Sequence, residues 1–206
     1  VDQRAAKRVM DILISGIGII ITSPIMLIIA IAVKAYDRGP VFYFQDRLTL
    51  GGKPFKICNF RSMCVDSEKN GARLASKHDS RITPVGHVLR NLHLDELPQL
   101  FNVFKGDMSL VGPRPERESI MLEYEKELPE FYYRLKVKAG LTGYAQVYGK
   151  YNTTPYDKLK LDLFYIENYS FLLDIKLIFM TVKIFFQKEV SEGVDDRQVN
   201  ALKDSG

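Results

Sequence analysis

The chain has 206 residues, of which 46% are hydrophobic and 26% are charged. This length suits one domain of ordinary size, or one domain with an appendage, and the hydrophobic content is sufficient for a core. The 29 basic and 25 acidic residues give a formal net charge of +4. That mild surplus suits an anionic ligand or an anionic membrane surface without proving either, and we expect no nucleic-acid partner.

The only cysteines are Cys58 and Cys64, with five residues between them. This spacing excludes a CxxC redox pair, and two cysteines are too few for a zinc site. We interpret them as reduced thiols of a cytosolic domain, with a disulfide as the alternative.

Residues 12–33 form an uncharged, apolar run of 22 residues. As one helix the run would be about 33 Å long, which is sufficient to cross the hydrocarbon core of a bilayer. Nothing after it has the pattern of a secreted chain, and no small-residue cleavage site is well placed, so a signal peptide is not indicated. The run therefore predicts insertion into a membrane.

Ser23-Pro24 lies in the middle of this run. A proline there removes a helical hydrogen bond and clashes with the preceding turn, and each half, at about 18 Å, is too short to span alone. Basic residues flank both ends of the run: Arg4, Lys7, Arg8, Lys34 and Arg38. Because positive charge favours the cytoplasmic side, the pattern favours a helix that enters, bends and returns to the same face. A kinked spanning helix is the alternative, since prolines are tolerated in membrane helices.

The rest of the chain predicts a mixed fold with more helix than strand. Strands are predicted at 41–45 and 55–61, joined through Gly51-Gly52 as a small β-hairpin. Helices are predicted at 85–92, 116–135 with an interruption near Pro129, 156–169 and 171–188. Residues 67–81 are polar and are expected to form a surface loop. The helix at 171–188 is apolar on much of its surface, so it either packs in the core or lies in the membrane interface with its lysines reaching water.

Two adjacent carboxylates, Asp95 and Glu96, precede a helical pattern of apolar residues. Asp95 can serve as the N-cap of that helix, with Pro98 tolerated in the first turn. A helix N-terminus also attracts phosphate. A carboxylate placed there can bind Mg²⁺ through oxygen, or attack phosphorus to form an acyl phosphate. On these residues alone, both the capping role and the chemical role stay open.

Several basic residues are candidates for phosphate contacts. Pro113 and Pro115 hold Arg114 in a stiff, extended segment, which suits a bidentate phosphate contact but also a solvated arginine in a rigid loop. Arg61 and Arg90 have the same two interpretations. Lys56 can equally be a solvated strand residue.

Other recognisable chemistry is missing from the sequence. The histidines, His78, His87 and His93, have no ligand spacing. There is no Ser-His-Asp pattern, Walker-type loop or dinucleotide fingerprint. Gly140 to Gly143 is expected to make a tight turn rather than a phosphate cradle.

Taken in order, these segments resemble the bacterial sugar transferase family, the monotopic polyprenyl-phosphate phosphoglycosyl transferases. The resemblance covers about residues 7–186. The matching pieces are KRVMD at 7–11, SP at 23–24, GPVF at 39–42, FK at 55–56, FRSM at 60–63, LDELPQ at 94–99, GDMS at 106–109, VGPRP at 111–115, GLTG at 140–143 and AQV at 145–147. Each piece is weak alone, but their order and spacing together are highly specific.

The resemblance implies a fold and a location. We expect an α+β fold that is mostly helical, with the β-hairpin and interfacial amphipathic helices in the cytosolic part. Residues 1–36 would be a re-entrant membrane helix broken at Ser23-Pro24, with its flanks. Residues 37–188 would be a membrane-associated catalytic domain, and 189–206 a loose C-terminal tail. The active site would lie at the cytosolic face of the bacterial inner (cytoplasmic) membrane.

The resemblance also implies a reaction. A sugar 1-phosphate is transferred from a nucleoside diphosphate sugar, expected to be a UDP-sugar, to polyprenyl phosphate, expected to be undecaprenyl phosphate. The products are a polyprenyl-diphosphate sugar and a nucleoside monophosphate, and the step initiates glycan or exopolysaccharide biosynthesis. The oligomeric state is left open, with a homodimer as one alternative.

Residue roles follow from the family's motifs. Asp95 is expected to be the nucleophile, which forms a covalent phosphosugar enzyme, and a ligand of Mg²⁺. Glu96 supports the site as a base or an orienting group. Arg114 is expected to contact the nucleotide or its phosphates, and Arg90 the phosphate region. The other residues expected to bind substrate are Arg61, Lys56, Pro113 and Pro115.

Three positions depart from the family's pattern. Family members often have lysine in place of Asn59, tryptophan in place of Tyr144 and asparagine in place of Tyr148, so the identity of the sugar is not carried over. The PRPER form at 113–117 is similar to that of larger members, which carry more N-terminal membrane helices and a second domain, so we expect the chain to be a truncation.

Two other functions stay open at this point. One is a membrane-bound, Mg²⁺-dependent hydrolase of nucleotide sugars that uses the same carboxylates to activate water. The other is a non-catalytic, membrane-anchored scaffold for glycan assembly.

Overall fold

A computed structural model describes residues 3–65, 79–149 and 153–186. These ranges contain seven α-helices: α1 (Gln3–Asp37), α2 (Pro84–Asn91), α3 (Gln99–Lys105), α4 (Glu118–Glu127), α5 (Tyr144–Tyr148), α6 (Pro155–Glu167) and α7 (Phe171–Phe186). They also contain four short strands: β1 (Phe42–Leu48), β2 (Pro54–Phe60), β3 (Ser109–Val111) and β4 (Gly140–Thr142). The mixed, mostly helical fold that the sequence predicts is confirmed.

Most of the predicted elements are present. The antiparallel hairpin pairs Phe42 with Phe60, and its turn is a 3-10 helix in which Gly51 and Gly52 have positive φ, which favours glycine. The helix predicted at 116–135 is divided at Pro129 into α4 and a 3-10 helix, Pro129–Lys136. His78, most of the loop predicted at 67–81 and the tail predicted at 189–206 lie outside the described residues.

The parallel pair β3–β4 was not predicted, and the tight turn expected at Gly140 to Gly143 is wrong. Gly140 to Thr142 is a strand, with Ser109 opposite Gly140 and Val111 opposite Thr142. The glycines allow the two backbones to approach closely, since a Cβ on Gly140 would lie 2.1 Å from the amide nitrogen of Gly112. Strands of three residues are too short for a period-two pattern to identify.

Helix α1 is continuous through Ser23-Pro24, so the expected break in the helix at that point is wrong. Pro24 has no N–H to donate to the carbonyl of Ile20 four residues earlier. The hydroxyl of Ser23 donates a hydrogen bond of 2.8 Å to that carbonyl instead. The serine therefore satisfies the acceptor that the proline leaves open, and the helix continues.

One face of α1 packs along the rest of the domain. Met26, Ile29 and Val33 are buried with Phe60 of β2 and Leu89 of α2. The opposite face is apolar and exposed, and Ile20, for example, is 74% exposed. Among the described residues, α1 is the helix long and apolar enough to cross a membrane, with a mean hydropathy of 2.5 over an 18-residue window of which 17% is buried.

Both ends of α1 are fixed to the same domain. At the first end, the Lys7 ammonium donates to the carbonyl of Val111 at 2.9 Å and pairs with Asp174 at 2.5 Å. At the last end, Asp37 pairs with the buried guanidinium of Arg61. The membrane-type helix is therefore an integral part of the fold.

The main core lies between the hairpin, α3, β3 and α7. Val103, Met108 and Leu177 are fully buried there. Helix α7 packs in the core through Leu177, while Leu172 and Phe179 are 76% and 72% exposed.

Candidate active site

Asp95 and Glu96 lie on a single 3-10 turn, Leu94–Glu96, that precedes α3. His93 begins the turn in the left-handed conformation, with φ of 53°. The expected capping role of Asp95 is wrong, because α3 starts at Gln99 and its N-cap residue is Pro98, which makes no side-chain capping bond. The two carboxylates are thus presented by the turn and not by the end of a regular helix.

The turn is held on β2 by polar side chains of α3. The buried Gln99 donates a hydrogen bond of 2.8 Å to the side chain of Asn59. Asn102 accepts from the amide of Cys58 at 2.9 Å and donates to the carbonyl of Lys56 at 2.8 Å. These bonds satisfy the outer edge of β2 and fix the start of α3, so the carboxylates have a rigid support.

Arg114 approaches Glu96 from the other side of the site. Its side chain is exposed, whereas Pro113 and Pro115 are buried on either side of it. The guanidinium forms a two-pronged contact, in which Nη2 donates to Glu96 Oε1 and Nη1 to Oε2 at 3.5 Å. The prediction that two stiffening prolines present an arginine to the site agrees with this geometry.

The two carboxyl groups have opposite pKa shifts. Burial, and then the adjacent charge of Glu96, raise the pKa of Asp95 to about 6, although Arg90 and Arg114 act to lower it. Burial also acts to raise the pKa of Glu96, but the charge and hydrogen bonds of Arg114 outweigh it, and the pKa is lowered. Neighbouring carboxyl groups whose environments separate their pKa values often divide the work of catalysis.

Arg90 lies on α2 at the edge of the site. Its Nε donates a hydrogen bond of 2.9 Å to Ser62. Burial lowers the pKa of Arg90, and Asp95 is the strongest of the charges that act against this. Arg90 thus belongs with Asp95, Glu96 and Arg114 in one group.

Arg61 and Lys56 lie apart from this group. Arg61 donates to Asp37 at 2.6 Å, to the carbonyl of Pro40 at 2.6 Å and to that of Met63 at 3.1 Å, so its donors are directed to the end of α1. Lys56 pairs with Asp46 across the hairpin at 3.1 Å, and both side chains are well exposed. Their predicted contacts with substrate stay predictions.

A set of buried and half-buried charges behind the Arg114 loop was not predicted from the sequence: Arg47, Glu116, Arg134, Lys158 and Asp162. One signal was available. Asp162 lies three residues from both Leu159 and Tyr165 on α6, so it occupies a position of the buried face. A carboxylate at such a position indicates a buried cationic partner.

The carboxylate pair fits a magnesium ion that is shared with a substrate. Mg²⁺ is usually bound by one or two carboxylates together with substrate phosphates. Burial, and then the charge of Glu96, raise the pKa of Asp95, and a bound divalent cation would favour its ionised form. Within the described ranges no group of three or more His, Cys, Asp or Glu residues forms a complete metal site. Asp95 is the better ligand, because Glu96 is already paired with Arg114.

Comparisons with known proteins identify the family of the chain. A family model described as bacterial sugar transferase matches residues 2–188. A UDP-N-acetylgalactosamine-undecaprenyl-phosphate N-acetylgalactosaminephosphotransferase of Aeromonas hydrophila is 45% identical over 180 residues, which are 86% of this chain and 43% of that protein. A UDP-glucose:undecaprenyl-phosphate glucose-1-phosphate transferase of Klebsiella pneumoniae is 45% identical over 181 residues, or 85% of this chain and 39% of that protein.

A shorter relative matches over most of its own length. An uncharacterised sugar transferase of Bacillus subtilis (strain 168) is 39% identical over 188 residues, which are 91% of this chain and 89% of that protein. By contrast, the chain spans about two fifths of the length of the Aeromonas and Klebsiella proteins. From the family match over nearly all of its residues, the chain belongs to the bacterial sugar transferase family.

Proposed function

We propose that the chain is the catalytic part of a polyprenyl-phosphate phosphoglycosyl transferase. The observation that carries this proposal is the pairing of Glu96 with Arg114 while the adjacent Asp95 forms no ion pair among the described residues. One carboxylate is therefore held in place and the other is left to react. The printed names of the Aeromonas and Klebsiella relatives support a UDP-sugar as donor and undecaprenyl phosphate as acceptor.

In the first step, a carboxylate oxygen of Asp95 attacks the phosphorus that carries the sugar. A bond forms between Asp95 and phosphorus, and the bond from phosphorus to the bridging oxygen of the diphosphate breaks. The nucleoside monophosphate leaves with that electron pair. The sugar phosphate is then an acyl phosphate on Asp95.

In the second step, a phosphate oxygen of the polyprenyl phosphate attacks the same phosphorus. The bond to Asp95 breaks, the carboxylate is restored, and the product is a polyprenyl-diphosphate sugar. No net proton transfer is needed when both phosphates are ionised. Such a reaction depends mainly on alignment and charge stabilisation.

The surrounding residues supply these effects. Arg114 and Arg90 provide positive charge on two sides of Asp95. Glu96 orients Arg114 and keeps Asp95 from pairing with it. Mg²⁺, held through Asp95, would neutralise the diphosphate of the donor.

We also propose that α1 bends at Pro24 while staying helical, and so returns to the same face of the inner membrane, with the active site at the cytosolic face. Support comes from the contacts of Lys7 and Asp37, which tie both ends of α1 to one domain. The exposed apolar faces of α1 and α7 would be covered by lipid, which also brings the site to a substrate that stays in the bilayer. A role in starting glycan or exopolysaccharide synthesis follows from this reaction, and a homodimer stays a prediction.

A panel of nucleotide sugars tests the reaction class. The protein in detergent or nanodiscs is incubated with each donor and Mg²⁺, with or without polyprenyl phosphate, and nucleoside monophosphate is measured. We expect multiple turnovers only when polyprenyl phosphate is present. Steady release without the lipid would support the hydrolase, and no release with any donor would support the scaffold.

A further inference from the structure

The loop that carries Arg114 rests on a cluster of buried and half-buried charges that come from distant parts of the chain. We call this cluster the cradle, and its members are Arg47, Glu116, Arg134, Lys158 and Asp162. Arg47 comes from β1, Arg134 from the 3-10 helix at Pro129–Lys136, and Lys158 and Asp162 from α6. Only Glu116 belongs to the loop region itself, so the position of the loop depends on tertiary structure.

Two arginines of the cradle bind consecutive carbonyl groups of the loop. Arg134 Nη2 donates a hydrogen bond of 2.8 Å to the carbonyl of Arg114. Arg47 Nη1 donates one of 3.1 Å to the carbonyl of Pro115. With φ of the prolines already restricted, these two bonds fix the two consecutive peptide groups that follow the Cα of Arg114.

Glu116 interacts with the three cations of the cradle. Its carboxylate pairs with Lys158, and it lies 3.9 Å from Nη1 of both Arg47 and Arg134. Burial acts to raise the pKa of Glu116, but Lys158 and Arg134 outweigh it and lower the pKa. The carbonyl of Glu116 also accepts from the amide of Leu48 at 3.0 Å, which attaches the end of the loop to β1.

Arg134 is held by a second carboxylate. Its Nε donates to Asp162 Oδ2 at 2.6 Å, and the two side chains are 3% and 2% exposed. The cavity lined by the Arg114 loop and Arg134 has a volume of about 10 Å³, so there is little room for Arg134 to take another position.

Stability alone does not account for so many buried charges. A buried ion pair costs desolvation energy, and an apolar cluster of similar volume is often as stabilising or more so. What an apolar cluster lacks is directed hydrogen bonds to chosen carbonyl groups. A planar guanidinium with fixed donors supplies such bonds. In the cradle, they are directed to the carbonyl groups of Arg114 and Pro115.

We infer that Arg134 and Arg47 are positioning residues, which hold the Arg114 loop so that its guanidinium meets Glu96 and leaves Asp95 free to react. This inference rests on the proposed function for its effect on turnover. It goes further in assigning a role in the reaction to side chains that do not touch the reacting atoms.

A double-mutant cycle tests the inference. Arg47→Lys and Arg134→Lys keep the charge but lose the fixed fork of donors. Each is made in the wild-type protein and in an Arg114→Ala background, and kcat and KM for nucleoside monophosphate release are measured. Arg8→Lys is the matched control, since Arg8 also binds two backbone carbonyls, those of Val103 and Phe104, away from the loop.

We expect Arg47→Lys and Arg134→Lys each to lower kcat by about tenfold in the wild-type background and by less than about twofold in the Arg114→Ala background. Arg8→Lys should leave kcat unchanged in both backgrounds. Equal losses of kcat for Arg47→Lys and Arg134→Lys in both backgrounds would overturn the inference.

A second measurement does not depend on turnover. Hydrogen exchange of the amides of Gly112, Arg114, Glu116 and Arg117 should be faster in Arg47→Lys and Arg134→Lys than in Arg8→Lys. Unchanged exchange in this segment overturns the inference even if the wild-type protein shows no transfer. Absence of polyprenyl-phosphate-dependent turnover in the wild-type protein, with faster exchange in the variants, would instead contradict the proposed function and leave the positioning of the loop supported.

Discussion

Asp95 and Glu96 are neighbours in the chain, yet their surroundings give them different properties. Glu96 has a fixed partner in Arg114, which lowers its pKa. Asp95 is buried beside that charge without an ion-pair partner of its own among the described residues, and its pKa is raised to about 6. The lack of an ion-pair partner leaves Asp95 free to react, but its buried charge lowers the free energy of unfolding at neutral pH.

We predict that Asp95→Asn stabilises the metal-free protein near neutral pH. Because the folded pKa of about 6 lies above the ordinary value of 3.8, the folded state holds its proton more tightly. Stability therefore falls as the pH rises between these two values. The substitution removes this penalty, which is about 3 kcal/mol above pH ~6 and close to zero below pH ~4.

Thermal unfolding in detergent with a chelator, followed over this pH range, measures the effect. Glu96→Gln is the opposite control. Its folded pKa is lowered, so its charged form adds stability that is present above the ordinary pKa and is lost as the pH falls. Glu96→Gln should thus destabilise near neutral pH. A melting temperature of Asp95→Asn at or below that of the wild type at neutral pH would contradict this account of Asp95.

Asp95, Glu96 and Arg114 could be predicted as site residues from the sequence, because the adjacent carboxylates and the arginine between two prolines are each short local motifs. These motifs did not reveal the partners of each side chain. Arg61 looked like a phosphate ligand, and its donors go to Asp37, 24 residues earlier in the chain. Arg134 and Asp162 were missed for the same reason, since their contact is formed only when α6 packs against the 3-10 helix.

At the scale of elements, the Ser23-Pro24 pair in α1 shows how a serine can compensate for the hydrogen bond that a following proline removes. The proline rule predicts a break, because one hydrogen bond is lost. The Ser23 hydroxyl donates to the carbonyl left open at Ile20 and the helix continues. In an apolar environment an unpaired carbonyl would be costly.

We predict that Ser23→Ala destabilises the protein by about 1–2 kcal/mol, since the carbonyl of Ile20 then has no donor. In a Pro24→Ala background the new backbone N–H takes over that bond, so the same change should cost less than about 0.5 kcal/mol. Thr22→Ala is the control. Its hydroxyl bonds to the carbonyl of Gly18, which also has the amide of residue 22 as a helical donor.

Unfolding temperatures of these variants in nanodiscs give the comparison. An equal loss for Ser23→Ala in both backgrounds would contradict the proposed repair of the helix. The hairpin, α2 and the interruption at Pro129 are present as predicted. The hairpin and the interruption could be predicted because Gly51-Gly52 and Pro129 act on the backbone locally. The parallel pair β3–β4 is non-local, and close approach of Gly112 and Gly140 is visible only in the folded chain.

At the scale of the whole molecule, an exposed apolar surface and an active site belong to one compact arrangement. Strand β3 is tied to the start of α1 through Asp11, which accepts from the amide of Leu110 at 3.0 Å. The same strand leads directly into the Arg114 loop. The start of α1 is therefore connected, through β3, to the loop that carries Arg114 in the candidate active site.

The arrangement predicts the topology of α1. Single cysteines are placed at Ala5 and at Tyr36, both exposed, in a background with Cys58 and Cys64 replaced. Because both ends of α1 contact one domain, which we propose to be cytosolic, a membrane-impermeant maleimide should label neither site in intact cells and both after lysis. Labelling of one site but not the other in intact cells would show a spanning helix.

The central claim is that Asp95 forms a covalent bond to the sugar-bearing phosphorus. The most direct test is incubation of the protein with Mg²⁺ and a donor radiolabelled at that phosphorus, without polyprenyl phosphate, followed by denaturation and measurement of protein-bound label. We predict that the wild type retains label, that Asp95→Asn retains none, and that polyprenyl phosphate added before denaturation removes the label into lipid. Retention of label by Asp95→Asn, or steady release of free sugar phosphate without lipid, would contradict the claim.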